Sequence, residues 1–303
     1  MENVIETRNL SFGYGSRQVL TDISLRIPKG AVYGFLGPNG AGKSTTMRLL
    51  TGIIPEQSNA IHLFGKPLQK QLPQLFNRIG SLVEQPALYL HLSGIDNLRY
   101  IATLRGLPHK EISRVLALVG LSADGQRRVR QYSLGMKQRL AIAMALLGNP
   151  DLLLLDEPVN GLDPNGMQEI RQLLVKLNRE QGVTIFVSSH LLAEIEKMCT
   201  HVGIIHQGRL QFDGGMAELS ARFDAAGVLI TLDDATGWAE RLAVHFPRVS
   251  VESENQLRLS LPEGTGIPQL VRDLAGQGAA IHEVRRAGGL EEWFMSLING
   301  KMN

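Results

Sequence analysis

The sequence predicts an α/β fold with a parallel sheet and crossover helices, and three observations favour it. A glycine-rich loop at residues 37–44 stands between a short apolar strand and a helix. Apolar and amphipathic segments then alternate over residues 152–206, which is typical of parallel strands joined by helices. The pattern of the last third of the chain differs, and it indicates a separate small α+β domain.

The composition is that of a folded chain with balanced charge. The chain has 303 residues, of which 44% are hydrophobic and 20% charged, enough for a core in one large or two modest domains. The formal net charge is +2, so we expect no nucleic-acid partner. Cys199 is the single cysteine, which excludes an internal disulfide and is compatible with a reducing cytosol.

The sequence predicts no membrane-spanning segment. The first residues have neither a basic start nor an apolar run, so we expect no signal peptide. No stretch approaches the roughly 18 consecutive apolar residues of a spanning helix. The longest candidates are residues 140–147 and 152–155. If this chain serves a membrane process, another chain must cross the bilayer.

The elements up to residue 149 are predicted from the periodicity of apolar residues and from the glycine, proline and serine residues that begin or end segments. Two strands, residues 4–10 and 19–27, flank a turn at Gly13 and Gly15. Further strands are predicted at residues 32–36, 61–64 and 79–83, and a helix at 43–52. Residues 86–149 are predicted to form a helical subdomain with a capping box at Ser93 and Asp96, a helix from Pro108 to Gly120 and a helix at 136–147.

The remaining elements complete the sheet and begin a second domain. The alternating segment predicts strands at 152–155, 183–188 and 202–206 and helices at 165–181 and 191–199. After Ala221 the composition shifts, and we expect domains at residues 1–220 and 221–303. The order strand, helix, strand, strand, helix, strand is the split-βαβ, ferredoxin-like arrangement. Its predicted ranges are 228–232, 238–246, 249–252, 257–261, 268–276 and 280–284, followed by a helix at 290–298.

The glycine-rich loop fits a phosphate-binding motif, Gly37-Pro38-Asn39-Gly40-Ala41-Gly42-Lys43-Ser44, with Thr45 next. Glycines let successive backbone N–H groups point at phosphate oxygens, and the following helix adds its positive N-terminal end. Lys43 is placed to reach the outer phosphates and Ser44 to coordinate Mg²⁺. The motif therefore predicts binding of a magnesium nucleotide.

Two acids follow the apolar segment at residues 152–155. Acids at the carboxyl end of a parallel strand face the ligand crevice. Asp156 is placed to hold Mg²⁺, and Glu157 to orient and deprotonate an attacking water. The alternative is that these two acids are simply a solvated strand end. The phosphate-binding loop earlier in the chain argues against this alternative.

The motifs together are similar to those of ABC-type ATPases over about residues 4–220. The segment Tyr132-Ser133-Leu134-Gly135-Met136 resembles the signature motif, usually Leu-Ser-Gly-Gly-Gln. The segment Gly161-Leu162-Asp163-Pro164 resembles the D-loop. By the same resemblance His190 is the switch histidine and Tyr14 the aromatic that stacks on adenine. Taken alone, His190 would be an ordinary surface histidine, but its place in the ordered set of motifs reverses that interpretation. Tyr14 could instead simply pack in the sheet, and this alternative stays open.

The resemblance implies a P-loop NTPase core with antiparallel β and helical subdomains, and a mechanism. ATP and Mg²⁺ bind to two cassettes arranged head to tail, which we expect to be copies of one chain. Ser133 and Gly135 of one cassette, with Asp163, then approach the nucleotide held by the other. The cassettes drive an integral membrane subunit from the cytoplasmic face of the cell membrane.

Departures from the usual motifs narrow the resemblance. Leu134 and Met136 replace Gly and Gln in the signature motif. Glu84 stands at the Q-loop position, with Gln85 next, and either residue is a candidate to meet the metal. These departures resemble exporter ATPases of the bacitracin and lantibiotic self-protection group. They imply export of an antibiotic or lantibiotic-type peptide.

Other expectations concern surfaces and alternatives. By the same resemblance, residues 84–100 form the surface that receives the membrane subunit. The alternative is that their apolar side chains are buried within the domain. The tail carries no catalytic constellation and is expected to brace the domain or strengthen the dimer, with binding of a regulator as the alternative. The alternatives are a soluble, non-transport ABC ATPase and a regulatory module that holds ATP without hydrolysing it. A single phosphate loop and the intact Glu157 and His190 argue against them.

Overall fold

The computed structural model describes residues 2–56, 58–84, 86–222, 227–246, 248–261, 266–286 and 288–298. The chain divides into two units, Met1–Met216 and Ala217–Asn303. Each unit contains a hydrophobic core of its own. Within the described ranges, no helix combines the length and the apolar character that crossing a bilayer requires.

The first unit begins with strands and alternates strands and helices after its middle. Its strands are β1 (Asn3–Thr7), β2 (Leu10–Tyr14), β3 (Arg17–Ile23), β4 (Arg26–Pro28), β5 (Val32–Leu36), β6 (Ile61–Leu63), β7 (Lys66–Pro67), β8 (Ile79–Leu82), β9 (Leu152–Asp156), β10 (Thr184–Ser189), β11 (His201–His206) and β12 (Arg209–Gly215). Its helices are α1 (Lys43–Leu50), α2 (Gly94–Leu104), α3 (Lys110–Leu118), α4 (Leu134–Ala145), α5 (Pro164–Gln181) and α6 (Leu192–Met198).

A mixed sheet forms the centre of the first unit. Its described strands follow the order β12-β11-β5-β10-β9-β8. Strands β8, β9, β10, β5 and β11 are parallel, and β12 is antiparallel to β11. Strands β5, β9 and β10 are buried along their whole length, which explains why their sequences are continuous apolar runs. The predicted parallel sheet is confirmed, and its carboxyl edge brings the glycine-rich loop after β5 beside the acids that end β9.

The predicted strands at residues 4–10 and 19–27 are wrong in their bounds, because each covers two strands. The first is interrupted at Asn9, whose φ of +50° is incompatible with a continuous strand. The second covers β3, which ends at Ile23, and β4, which begins at Arg26. The breaks let β1 pair with β4 and β6 in one sheet while β2 and β3 form a separate hairpin.

Strand β12 was not predicted from the sequence. It follows β11 through Gln207 and Gly208, whose φ angles are +48° and +73°. Two consecutive positive φ angles define the two-residue turn that suits the twist of a hairpin. A Cβ on Gly208 would lie 2.2 Å from Val19 O, so this position requires glycine.

The helical part of the first unit confirms the predicted cap at Ser93. Ser93 Oγ accepts a hydrogen bond from Asp96 N at 3.1 Å and begins α2. Asp96 does not complete a capping box, because its carboxylate accepts from Ser93 Oγ at 2.6 Å instead. The next helix begins at Lys110, two residues after Pro108. The third begins at Leu134, before the predicted residue 136, because Ser133 caps it.

The second unit is a small α+β body. Helix α7 (Met216–Arg222) leads into it. Its further elements are β13 (Gly227–Leu232), α8 (Ala235–Leu242), β14 (Val249–Ser253), β15 (Gln256–Ser260), α9 (Ile267–Gly276), β16 (Ile281–Arg286) and α10 (Leu290–Ile298). The described strands form an antiparallel sheet in the order β14-β15-β13-β16, with α8 and α9 contributing Trp238, Leu242, Leu270 and Leu274 to its core.

Candidate functional site

The glycine-rich loop after β5 uses backbone conformations that residues with side chains rarely adopt. Gly40 has a φ of +80° and Gly42 a φ of +113°. A Cβ on Gly42 would lie 2.5 Å from the Cδ2 of Leu20, which is fully buried. A Cβ on Gly37 would lie 2.5 Å from Ile205 O. The loop can therefore curl tightly before α1, and its N–H groups with the start of α1 form a surface suited to phosphate.

Lys43 is held at this loop with its side chain buried. Its Nζ donates to Gly37 O at 2.7 Å and to Pro38 O at 3.3 Å. The same Nζ lies 3.4 Å from Glu157 Oε1. The ammonium group is thus paired with a carboxylate at the position where an outer phosphate would approach it.

A cavity of ≈ 650 Å³ opens in front of the loop. It gathers side chains from the β2–β3 hairpin, the loop, the end of β9 and the end of β10. Its lining residues are Tyr14, Arg17, Val19, Asn39, Gly40, Gly42, Lys43, Ser44, Thr45, Glu157, Asn160 and His190. Of the predicted loop residues, Gly37, Pro38 and Ala41 belong to the loop without lining the cavity. The size suits a nucleotide.

Two polar residues of this cavity, Arg17 and Asn160, were not found from the sequence. Arg17 is paired with Tyr14 across the β2–β3 hairpin, so its place follows from strand register. The backbone N–H of Asn160 donates to Glu157 O at 3.1 Å, in the turn after the acids. A hairpin prediction with the correct register would have indicated Arg17, whereas nothing in the sequence pattern indicates Asn160.

Tyr14 lies at the rim of the cavity with 47% of its surface exposed. Its ring packs edge-on against Phe12, with the ring centroids 5.0 Å apart. One face of the tyrosine ring is therefore available beside the phosphate loop. A planar base can stack on an aromatic face. Tyr14 is also the last residue of β2 and packs on Phe12 of the same strand, so the alternative of a sheet residue stays open.

Glu157 and His190 form a contacting pair of side chains in the cavity. His190 Nδ1 lies 2.9 Å from Glu157 Oε2, and the other carboxylate oxygen faces Lys43. Glu157 has a φ of +49°, and its N–H donates to Ser188 O at 3.2 Å and to Ser188 Oγ at 3.1 Å. These bonds hold an uncommon backbone conformation that aims the carboxylate into the cavity. The carboxylate of Glu157 is therefore held between His190 and Lys43.

Asp156 is buried at the end of β9, and its Oδ1 accepts a hydrogen bond from Ser188 Oγ. Ser44 lines the cavity at the start of α1. Among the described residues, no cluster of three or more His, Cys, Asp or Glu side chains could hold a metal by itself. A hydroxyl, a carboxylate and phosphate oxygens are the hard donors that Mg²⁺ takes with a nucleotide. The residues present therefore fit magnesium bound with its nucleotide.

The signature and D-loop residues lie outside the lining of this cavity. Ser133 caps α4 by accepting from Met136 N at 3.2 Å, and Gly135 has no neighbour closer than 4.0 Å to an added Cβ. Asp163 caps α5 by accepting from Gly166 N at 3.2 Å. Ser133 is exposed. Within one chain these residues therefore serve as helix starts, and their polar groups stay accessible to a second molecule.

Glu84, a candidate to meet the metal, makes its contacts with α1. Its carboxylate pairs with Arg48 Nη2, and Arg48 Nη1 donates to Tyr14 Oη at 3.4 Å. These contacts, the one to Glu84 above all, raise the pKa of Arg48. Gln85, the other Q-loop candidate, lies outside the described residues.

The surface after β8 is apolar and partly exposed. Burial of all its apolar side chains within the domain, the alternative that the sequence left open, is therefore not what the structure has. Tyr89 is 41% and Leu90 49% exposed, while Leu88 and Leu92 are half-buried. The rings of Tyr89 and Tyr100 meet edge-on with centroids 5.1 Å apart. A shallow groove of ≈ 310 Å³ continues this surface along α2.

Comparisons with known proteins show which family the chain resembles. The ABC transporter family model matches residues 20–160. Bacitracin transport ATP-binding protein BcrA of Enterococcus faecalis is 38% identical over 99% of this chain and 98% of that protein. Lantibiotic transport ATP-binding protein SrtF of Streptococcus pyogenes is 42% identical over 70% of this chain and 92% of that protein. The solved structure of cbiO1 from Clostridium perfringens, part of the ABC transporter complex cbiONQ, is 28% identical with a TM-score of 0.67, covering 82% of this chain and 97% of that one.

Proposed function

The chain belongs to the family of ABC transporter ATP-binding subunits, and from that premise we propose that it powers export of an antibiotic or lantibiotic-type peptide. It is an ATPase, since the members of this family hydrolyse ATP to drive transport. The cargo class is supported by the names of two relatives, one for bacitracin and one for a lantibiotic. The likeness to the bacitracin protein extends over nearly the whole chain.

The cavity supports a definite placement of ATP. We propose that adenine stacks on Tyr14 and that the phosphates lie along the glycine-rich loop toward Lys43. The terminal phosphate would replace Glu157 as the partner of Lys43 Nζ, which now lies 3.4 Å from that carboxylate. Binding of ATP thereby frees Glu157 to contact water instead of lysine.

Glu157 would act as the general base in hydrolysis. With Lys43 engaged by phosphate, the carboxylate takes a proton from a water that attacks the terminal phosphorus, and ADP leaves with the bridging oxygen. His190 Nδ1 lies 2.9 Å from Glu157 Oε2, where it fixes the orientation of the carboxylate, and His190 lines the same cavity as the phosphate-binding loop. The single observation that carries this assignment is the position of Glu157 between Lys43 and His190 in the cavity.

Ser44 and Asp156 would hold magnesium together with the outer phosphates. The metal supplies positive charge that neutralises the negative charge developing on the phosphate oxygens. Ser188 Oγ, which donates to Asp156 Oδ1, fixes the direction of that carboxylate. Asp156 thus has one oxygen engaged by the protein and one left for the metal or its water.

We propose that two copies of the cassette close head to tail around two ATP molecules. Ser133 and the N–H of Gly135 stand at the start of α4, where a helix attracts anionic phosphate. Because they do not line the cavity of their own chain, a second chain is needed to bring them to a nucleotide. Asp163, at the start of α5, would lie in the same interface.

The experiment compares wild type and Glu157→Gln in ATP and Mg²⁺. We expect Glu157→Gln to lose about 10²- to 10⁴-fold in hydrolysis and to accumulate as a dimer in size-exclusion chromatography with light scattering. In the Glu157→Gln background, Ser133→Arg should abolish the dimer, whereas Ser122→Arg, at another exposed serine, should preserve it. Equal hydrolysis by wild type and Glu157→Gln would exclude Glu157 as the base. A Glu157→Gln protein that stays monomeric would exclude the closed dimer.

The family's subunits work with membrane subunits, and we propose where the partner docks. The exposed apolar surface of Tyr89, Leu90 and Tyr100 suits an amphipathic segment of a membrane protein. We propose that the chain acts at the cytoplasmic face of the cell membrane. Tyr89→Arg should spare basal hydrolysis and abolish co-purification with the membrane subunit. Val244→Arg, at an exposed valine of the second unit, is the matched control, and equal co-purification of both variants would exclude this surface.

The two alternative functions are not favoured. A non-hydrolysing module would not need the Glu157–His190 pair, which is assembled in the cavity. A soluble, non-transport ATPase disagrees with the relatives, which are named for transport.

A further inference from the structure

Arg48 makes contacts that neither the family motifs nor the proposed reaction explains. It lies on α1, four residues after Ser44. Its Nη2 pairs with the carboxylate of Glu84, and its Nη1 donates to Tyr14 Oη at 3.4 Å. One guanidinium therefore joins the aromatic ring at the nucleotide cavity to the acid that follows β8.

Glu84 lies at the edge of the sheet where the reaction takes place. Strand β8 is parallel to β9, with Leu82 opposite Leu155, so Glu84 follows the same carboxyl edge as Asp156. A carboxylate there is a hard oxygen ligand for magnesium, and it also adds negative charge near a triphosphate. In this structure it is engaged by Arg48 instead.

The ion pair of Arg48 and Glu84 can exchange partners. The side chain of Arg48 is 34% exposed and that of Glu84 is 57% exposed, and ion pairs at such positions are weak. The backbone of Glu84, with a φ of +69°, is in the left-handed region and directs the side chain toward α1. A divalent cation held by Ser44, Asp156 and phosphate would offer Glu84 twice the positive charge of the guanidinium.

We propose that Arg48 is a positioning residue that holds Glu84 away from the metal position and competes with Mg²⁺ for its carboxylate. This inference rests on the proposed function, since it requires magnesium nucleotide in the cavity. A bound magnesium nucleotide would draw the carboxylate of Glu84 from Arg48 to the metal. Arg48 then keeps its contact with Tyr14, on the adenine side of the cavity.

The test measures what magnesium adds to nucleotide binding. Isothermal titration calorimetry gives the dissociation constant of AMP-PNP, a non-hydrolysable ATP analogue, once with Mg²⁺ and once with EDTA. The ratio of the two constants is compared for the full-length wild type, Arg48→Ala, Glu84→Gln and the double variant. Loss of the arginine charge also changes nucleotide affinity directly. This change occurs both with Glu84 present and in the Glu84→Gln background, so it cancels when the effects of Arg48→Ala in the two backgrounds are compared.

With Glu84 present, we expect Arg48→Ala to enlarge the advantage of magnesium about two- to five-fold, the range for exposed ion pairs. In the Glu84→Gln background, we expect the same change to leave that advantage within about 1.5-fold, since an amide does not pair with a guanidinium as an ion. Arg48→Lys, which keeps the charge, should stay close to wild type.

Equal responses in the two backgrounds, or a smaller advantage of magnesium in Arg48→Ala, would overturn the role of Arg48. If wild type hydrolyses ATP but Arg48→Ala has the same effect with Glu84 present and in the Glu84→Gln background, only this inference fails. If wild type binds no AMP-PNP, the proposed function fails and takes the inference with it.

Discussion

Replacing Gly42 by alanine tests whether the glycine-rich loop is dictated by sterics. Gly42 has a φ of +113°, and its added Cβ would lie 2.5 Å from Leu20 Cδ2 and 3.4 Å from Ile205 Cδ1. Leu20 is fully buried, so its side chain has no free space into which to move. Gly40→Ala is the matched control, because Gly40 has a φ of +80° but nothing within 4 Å of an added Cβ.

The two substitutions separate backbone strain from crowding. A left-handed backbone costs an L-residue about 1–2 kcal/mol, which both variants share. Overpacking of a buried site adds about 1–3 kcal/mol, which applies to Gly42→Ala alone. We therefore expect Gly42→Ala to lower the free energy of unfolding by about 2–5 kcal/mol and Gly40→Ala by about 1–2 kcal/mol.

The assay is urea unfolding followed by far-UV circular dichroism. Both tryptophans, Trp238 and Trp293, belong to the second unit, so tryptophan fluorescence would report on the wrong part of the chain. We expect the urea-unfolding transition of the first unit to shift to lower urea concentration, further in Gly42→Ala than in Gly40→Ala. Equal destabilisation by the two variants would show that the contact with Leu20 does not constrain the loop, and the steric reasoning would be refuted.

Three further predictions follow from buried and reactive groups. Burial raises the pKa of Asp213, against the opposing effects of hydrogen bonds from Tyr33 Oη at 2.6 Å and Arg26 N at 3.1 Å. The folded protein therefore binds the proton more tightly than the unfolded one, so wild type should gain stability relative to Asp213→Asn as pH falls from the raised folded pKa toward the unfolded value of about 3.9. Urea unfolding at several pH values measures this, and a difference that does not change with pH would contradict it. Burial raises the pKa of the Cys199 thiol above its usual range, so a thiol reagent should label the native protein slowly and the urea-unfolded protein completely. Rapid full labelling of the native protein would show that Cys199 is accessible. His190→Ala should reduce hydrolysis about 100-fold or more while AMP-PNP affinity stays within a few-fold of wild type, and His245→Ala, at an exposed histidine of the second unit, should leave both unchanged. Normal turnover by His190→Ala would remove this residue from the reaction.

Much of this protein can be predicted from the sequence because its strongest signals are local. The phosphate loop is a continuous segment whose spacing reflects what a curled backbone needs, and the acids after β9 follow directly from a buried apolar run. The parallel sheet follows from alternation of apolar and amphipathic segments, and the helix starts at Ser93 and Ser133 follow from serine caps. Each of these depends on residues a few positions apart.

Only the tertiary structure decided which of these groups meet. Arg48 and Glu84 are 36 residues apart, and no periodicity indicates that α1 passes beside the end of β8. The breaks at Asn9 and between Ile23 and Arg26 reflect pairing of β1 with strands of another sheet, which overrides a continuous β-pattern. The approach of Lys43 to Glu157 likewise depends on β10 lying between β5 and β9. Contacts of this kind are set by strand order and register, because these determine which distant segments end at the same edge of the sheet.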